Sequence, residues 1–353
     1  MIDKVLRLFK GRYMKKSIIV GLFLMSAMLI QPIFCQEAPI KRDKDADFKR
    51  FSETGICNDG CDLSFLKLTP TIKALRKQGR EIDLQGADLT ESQLQYARLY
   101  DANLKNAKLN GADLTKANLN YADLSGVDFS GADMYKADML EANLTKAIFT
   151  WTHLILAKCR GANLTGIQIH NSALDGADLS EVNLTDANIR DSYFTRANLT
   201  DAQCKNAELD GVDLNSTNLT KANFAKTKLR RTYFQRAKLK HTRFDEASMD
   251  VCNFAGASIF RANFSNIRDW HSNFSGAQCQ KTDFVNGVFS HTNFSRATDF
   301  ESDFSNATFD HVDLTKATLC RTDFTGLDEK NTKTTDTVFS DAKSKRFESY
   351  FKS

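Results

Sequence analysis

The chain has 353 residues, 48 Lys and Arg against 44 Asp and Glu for a formal net charge of +4, 42% hydrophobic residues and only 3 prolines. That length admits two or three ordinary domains or one long repeat array. The fixed order in which Asn, Asp, Ala, Leu, Phe and Thr recur excludes the first and selects the second.

The first segment stands apart from the rest. Lys4, Arg7, Lys10, Arg12, Lys15 and Lys16 precede an apolar run from Ile18 to Ile30, and Pro32 leads into Ile33-Phe34-Cys35. Ile and Cys are tolerable at the −3 and −1 places of a signal-peptidase site, and Met14-Lys15-Lys16 reads like a bacterial signal start. Residues 1–35 are therefore expected to be a signal peptide. The competing reading is an uncleaved anchor in the inner membrane, although the apolar run falls short of the roughly 20 residues a spanning helix needs. Phe34 argues against a lipoprotein signal. The segment holds six bases and one acid, so the rest of the chain has a net charge of about −1. The basic balance of the whole chain thus says nothing about nucleic acid.

Residues 36–82 are expected to be a lead-in and N-terminal cap, with the charged, repeat-free stretch 36–55 flexible. Cys57 and Cys61 form the one close cysteine pair outside the repeats. In an oxidising compartment they can bridge, while C-x-x-x-C alone is too little for a zinc site. Thr69-Pro70 opens a predicted short helix, with Ile72 and Leu75 on its apolar face and Gly79 as its stop.

From Leu84 to Phe324 every residue whose number ends in 4 or 9 is apolar except Asp269 and Asp299, which makes 49 consecutive pentapeptides without insertion or deletion. Two places before this centre the residue is small (Ala87, Ala102, Ala112), one place before it Asn or Asp dominates, and Ser or Thr often follows. Neither a strand, with period two, nor a helix, with period 3.6, buries one residue in five. A chain that turns a corner after each short extended segment does. Cys159, Cys204 and Cys279 occupy centres and Cys252 a small inward place, so they read as buried hydrophobes rather than a disulfide framework. The N-L-T and N-F-S triplets are by-products of the repeat and are not read as glycosylation sites.

The A-[DN]-[LF]-[ST]-x pattern, as in Gly86-Ala87-Asp88-Leu89-Thr90 and Lys221-Ala222-Asn223-Phe224-Ala225, resembles the pentapeptide-repeat family over about two-thirds of the chain. The resemblance implies an all-β fold, a right-handed quadrilateral β-helix with short helical caps, spanning 83–326 in coils of 20 residues. Centres on one face then run Leu84, Leu104 and onward to Cys204, then Phe224 to Phe324, opposite Phe234, Phe254, Phe274 and Phe294. The core changes from aliphatic to aromatic near residue 220. Asp269 and Asp299 are expected to force bulges, with Trp270 and Phe300 supplying the apolar group instead; carboxylates turned outward at a binding site are the functional alternative. Residues 327–353 are expected to be a polar loop, centred on 329–337, and a C-terminal helix capped by Ser340. Its Phe347, Tyr350 and Phe351 would close the last coil or meet a second copy as a homodimer.

No nucleophile–base motif, phosphate loop or metal signature stands outside the repeat register, so no catalytic residue, cofactor or metal is assigned and the chain is not read as an enzyme. His271, His291 and His311 lie one coil apart in one column; they either share a transition metal or sense acid, or fill a tolerant corner. Residues 81–220 hold 20 acids and 11 bases, whereas 221–243 hold nine bases and no acid, a girdle of about one coil. The function expected is an exported, periplasmic or secreted scaffold or binding protein whose partner is a protein or an anionic envelope component. The alternative follows from the resemblance: some family members imitate B-DNA and bind topoisomerase, which suits the acidic first half. Direct binding of nucleic acid is disfavoured.

Overall fold

The computed structural model describes residues 43–57 and 60–343. The signal segment 1–35 and residues 344–353 of the expected C-terminal helix lie outside the described residues. Ser340, expected to cap that helix, instead ends a strand, and Lys343 still pairs with Asp323, because the coil pairing runs on past the expected cap.

The period of five becomes a coil of twenty. Parallel bridges join Asp83 to Asn103, Asp88 to Lys108, Gln93 to Asp113 and Arg98 to Asn118, and each series continues in steps of twenty. The coil has four faces, called first to fourth here after their earliest centres Leu84, Leu89, Leu94 and Leu99. Within the ladder the Leu104 N–H donates to the Asp123 carbonyl at 2.8 Å and the Asn103 N–H to the Ile82 carbonyl at 3.1 Å. On the second face this pairing grows into a ten-stranded parallel sheet from Ile148–Thr150 to Asp328–Lys330; on the fourth, a five-stranded sheet runs from Ser258–Phe260 to Val338–Ser340. These observations define a quadrilateral β-solenoid.

Each repeat place has a physical reason. The centre is buried, and the small residue shares the interior beside it. The Asn or Asp before the centre accepts the N–H two residues on, as Asp128 does from Ser130 at 2.9 Å, which holds the corner in an Asx turn. A hydroxyl after the centre adds to it: Thr145 Oγ1 donates to Asn143 Oδ1 at 2.7 Å. The corner itself closes by a bond such as Ala87 N–H to the Leu84 carbonyl, 3.0 Å, with φ +64° at Gly86. That sign at the third residue marks a type II turn. At Gly287 the constraint is space rather than φ: an added Cβ would lie 2.6 Å from the Phe289 ring.

The aromatic half of the core is two facing ladders. On the first face successive rings stack at 5.2 Å (Phe224–Phe244), 4.7 Å (Phe244–Phe264) and 5.2 Å (Phe264–Phe284). On the third, Phe234–Phe254 and Phe254–Phe274 stack at 4.6 Å. Edge contacts such as Phe244–Phe254, 5.8 Å at 87°, lock one ladder to the other. Each ring pair adds about 0.5–1.5 kcal/mol beyond area burial.

Both flanks differ from their sequence reading. Residues 36–55 were expected to be flexible, but Lys44–Thr54 form helix α1, capped by Asp43 and anchored by the buried Phe51. The expected helix at Thr69 is present as α2, Thr69–Lys77, with Ile72 and Leu75 buried. Because α2 is inserted in the first coil, Asp62 and Lys67 pair with Asp88 and Gln93, twenty-six residues on. Cys57 and Cys61 are buried and joined as a disulfide with Cα atoms 5.8 Å apart. At the other end the expected loop at 329–337 is coil structure instead. Asp328–Lys330 and Val338–Ser340 pair with Thr308–Asp310 and Thr318–Cys320. Backbone pairing onto the preceding coil outweighs the polar side chains there, and Phe339 packs against the core.

Candidate functional site

Asp269 and Asp299 make no bulge. Asp269 pairs in register between Met249 and Phe289, and Asp299 between Cys279 and Leu319, so flanking strands on both sides hold the carboxylates at centre positions. They are 2% and 4% exposed, whereas Trp270 and Phe300, expected to turn inward, are 59% and 36% exposed.

The sequence supplies hydroxyls to receive them. Elsewhere on the second face a hydroxyl from the next coil is inserted into the corner bond: the Ser172 hydroxyl accepts from Thr152 N–H at 3.1 Å and donates to the Phe149 carbonyl at 3.1 Å. At Asp269 the same device is redirected to a side chain. Thr292, twenty-three residues on, donates to Asp269 Oδ2 at 2.5 Å, and Thr322 donates to Asp299 Oδ2 at 3.1 Å. Oδ1 has no hydrogen-bond partner in either case. Burial pushes both carboxyls up to about 7, against the pull of the Ser272 and Thr292 hydroxyls at Asp269 and of Ser302 and Thr322 at Asp299. The two clusters repeat one pattern on opposite faces: an Asp at a centre, a Ser three residues on and a Thr twenty-three on. The sites stay separate, so the two carboxylates do not form a pair of the kind that shares acid–base work.

Above each cluster lies a surface groove. That of the second face, about 870 Å³, is lined by Asp250, Arg268, Trp270, His271, Ser290 and Asp310 among others. That of the fourth, about 600 Å³, runs along Ser258, Gln278, Thr298 and Thr318 between Phe260 and Phe300. His271, His291 and His311 stack at the corner beside the second-face groove, with centroids 4.8 and 4.7 Å apart and all three at positive φ. Face-to-face stacking leaves the ring nitrogens side by side rather than aimed at one point. Among the described residues no three His, Cys, Asp or Glu side chains converge as a metal site.

Five of the nine girdle bases are paired with acids, Arg243 through Asp245 at 2.9 Å. Lys228 meets Glu208 at 2.6 Å, Arg231 meets Asp210 at 2.6 Å, Lys226 meets Glu246 at 3.3 Å, and Arg230 lies 3.6 Å from Asp250. The partners sit one coil away in the same columns or beside them. These exposed pairs contribute little stability, about 0–1 kcal/mol each, but they reduce the girdle's field. Cys159, Cys204, Cys252 and Cys279 are buried as expected. Burial pushes the first three thiols up to about 12, so they are inert hydrophobes at neutral pH.

A solenoid of stacked five-residue sides with its polar groups in columns defines the class. Family models agree: the pentapeptide repeat region model matches residues 167–244, and the pentapeptide repeats (8 copies) model matches 82–120, 112–150, 122–158, 227–266, 272–300 and 301–328. The chain belongs to the pentapeptide-repeat family. Among solved structures it is similar to HetL, a pentapeptide repeat protein involved in heterocyst differentiation regulation from the cyanobacterium Nostoc sp. strain PCC 7120. The identity is 23%, over 66% of this chain and 95% of HetL, with a TM-score of 0.47. QnrB1, a plasmid-mediated fluoroquinolone resistance protein, is 19% identical over 49% of this chain and 92% of its own, with a TM-score of 0.27. A pentapeptide repeat protein of the Arabidopsis thaliana thylakoid lumen is 34% identical over 28% of this chain and 65% of its own, with a TM-score of 0.20. Comparison with curated protein sequences returns no match. Among the described residues no helix is long and apolar enough to cross a membrane.

Proposed function

We propose that this protein is a non-catalytic binding scaffold that works outside the cytoplasm, in the cell envelope or the surrounding medium. The observation that carries the reading is the columnar surface: outward side chains repeat at one coil spacing on a backbone whose coils are hydrogen-bonded to one another throughout. Such a surface suits an extended or repetitive partner, because one contact mode can be used coil after coil. The location rests on the basic and apolar segment 1–35. The partner is a protein or an anionic envelope component, and a second copy of the chain is met through the C-terminal segment.

Fractionation with mass spectrometry of the native N-terminus, followed by capture of partners from the same compartment, tests this. A chain beginning near Gln36 in the periplasm or medium supports export; a retained Met1 in the inner membrane indicates an anchored protein. The acidic balance of residues 81–220 favours one other reading, imitation of DNA. Cytosolic protein that captures a topoisomerase would replace the proposal with that one.

A further inference from the structure

In the aromatic half of the solenoid the bases are not spread evenly around the coil. The corners that flank the fourth face hold Arg236, Gly256, Gly276, Arg296 and Lys316 on one side and His241, Arg261, Lys281, Glu301 and Arg321 on the other, all at positive φ and so on the outside of the turn. The corners of the opposite, second face begin with Lys226 and Arg231, both paired with acids, and continue with Glu246, Asn266, Asn286 and Asn306 on one side and Val251, His271, His291 and His311 on the other. Lys238 and Lys240 add to the fourth face itself. Its corner acid is the half-buried Glu301, which pairs with Lys281 at 3.2 Å and Arg321 at 2.8 Å. Arg236, Lys238, Lys240, Arg261, Arg296 and Lys316 are exposed, and no carboxylate partners them among the described residues. Beyond the far corner the first face carries Asp283, Asp303 and Asp323, which confines the positive field to the fourth face and its rims.

Between those rims lies the groove over Ser258, Gln278, Thr298 and Thr318. Its floor is one three-residue strand wide, about 10 Å at the rise of an extended chain. That admits one extended polymer and not a duplex. The floor offers hydroxyls and amides, which hydrogen-bond sugar hydroxyls. Phe260 is flanked by Lys240 at 5.8 Å and Arg261 at 5.2 Å, and Phe300 by Arg321 at 4.8 Å. Ring faces covered by cations are poor platforms for nucleobases, and two rings two coils, or about 10 Å, apart cannot continue a base stack. Of these cations, Arg321 is shared with Glu301, while Lys240 and Arg261 have no carboxylate partner among the described residues and can meet one from outside.

We propose that the fourth face between Arg236 and Arg321 binds a linear carboxylated polysaccharide laid along the coil stack. Carboxylates pair with the two basic rims, and ring hydroxyls bond to the Ser, Thr and Gln floor. The inference rests on the reading of the protein as an envelope-binding scaffold and names the partner class and the surface.

The test uses the full chain and immobilised polygalacturonate, with uncharged dextran, oligothymidylate and anionic phospholipid vesicles as competitors. Wild type should bind polygalacturonate in preference to all three, and more weakly as salt rises. The triple Lys240→Glu/Arg261→Glu/Arg296→Glu should weaken binding on the order of tenfold or more, while the second-face triple Lys146→Glu/Arg268→Glu/Lys330→Glu leaves it within about twofold. A Gln version of the first triple, checked by its melting curve, stands in should the Glu version not fold. Equal loss in both triples, preference for oligothymidylate or vesicles, or no binding by wild type overturns the proposal. If another partner is captured from the envelope in those cases, the scaffold reading survives and only this face and ligand are wrong.

Discussion

Replacing Asp269 and Asp299 by Asn isolates the cost of two carboxylates in an apolar core. Each is held up to about 7 by burial, against an ordinary value of 3.8. About three units at 1.36 kcal/mol per unit is on the order of 4 kcal/mol for each site. The sign follows from proton counting. Below pH 3.8 both carboxyls are protonated folded or unfolded, and they have no differential effect. Between 3.8 and 7 the folded chain keeps protons that the unfolded chain releases, so stability falls as pH rises; above 7 the loss is complete. Asn has the same shape, can accept from Thr292 or Thr322, and does not titrate. Urea unfolding of wild type and of the double variant at pH 4 and pH 8, read with amide exchange across residues 245–325, compares them directly. The variant should match wild type within about 1–2 kcal/mol at pH 4 and exceed it by several kcal/mol at pH 8. Carboxyls with the opposite trend, such as Asp128 and Asp323, which hydrogen bonds from Ser130 and Thr325 hold low despite burial, are common to both proteins and cancel. Parallel pH profiles, or a wild type more stable than the variant at pH 8, would refute the buried, raised carboxyls.

Three further outcomes follow from the packing. Thr322→Val removes the donor to Asp299 Oδ2 and should cost about 1–3 kcal/mol at pH 8, with no such loss when Asp299→Leu is also present, measured by a double-mutant denaturation cycle. Phe254→Ala empties a place stacked at 4.6 Å from both Phe234 and Phe274; it should cost about 3–5 kcal/mol by urea denaturation and speed amide exchange first in the adjacent coils. Reducing the Cys57–Cys61 bridge closes no long loop, so it should lower stability by only about 2 kcal/mol, seen as earlier exchange in α1 and the first coil with the later coils unchanged.

The repeat, its coil length and the opposition of the two phenylalanine ladders were legible because period and burial are the same fact in a solenoid. What escaped the sequence reading lay in relations across coils. Asp269 looked impossible to bury when judged against Trp270 next door, yet its hydroxyl partners stand at Ser272 and Thr292, and its register is imposed by Met249 and Phe289 on either side. The pairing of part of the girdle was not legible because its acids, Glu208, Asp210, Glu246 and Asp250, lie outside the window 221–243 and about one coil away. The segment 329–337 looked like a loop because its centres lose their apolar character at Glu329, while the backbone bonds that extend the sheet there do not depend on side chains. On the surface, the one-sided placement of bases along the fourth face becomes visible only when residues are sorted by corner rather than by position in the chain.

The twenty-residue pairing also sets the unit in which this chain can change length. Removing a whole coil would leave every downstream column in phase with the columns above it. Removing one pentapeptide would leave each repeat locally intact but turn everything after it by a quarter. Below such a cut the phenylalanines of the first face would continue a column of another face, Thr292 would no longer stand below Asp269 if the cut fell between them, and the basic corners would be split between two sides. Deletions of five, ten or fifteen residues are therefore phase errors, and the architecture is indexed by four.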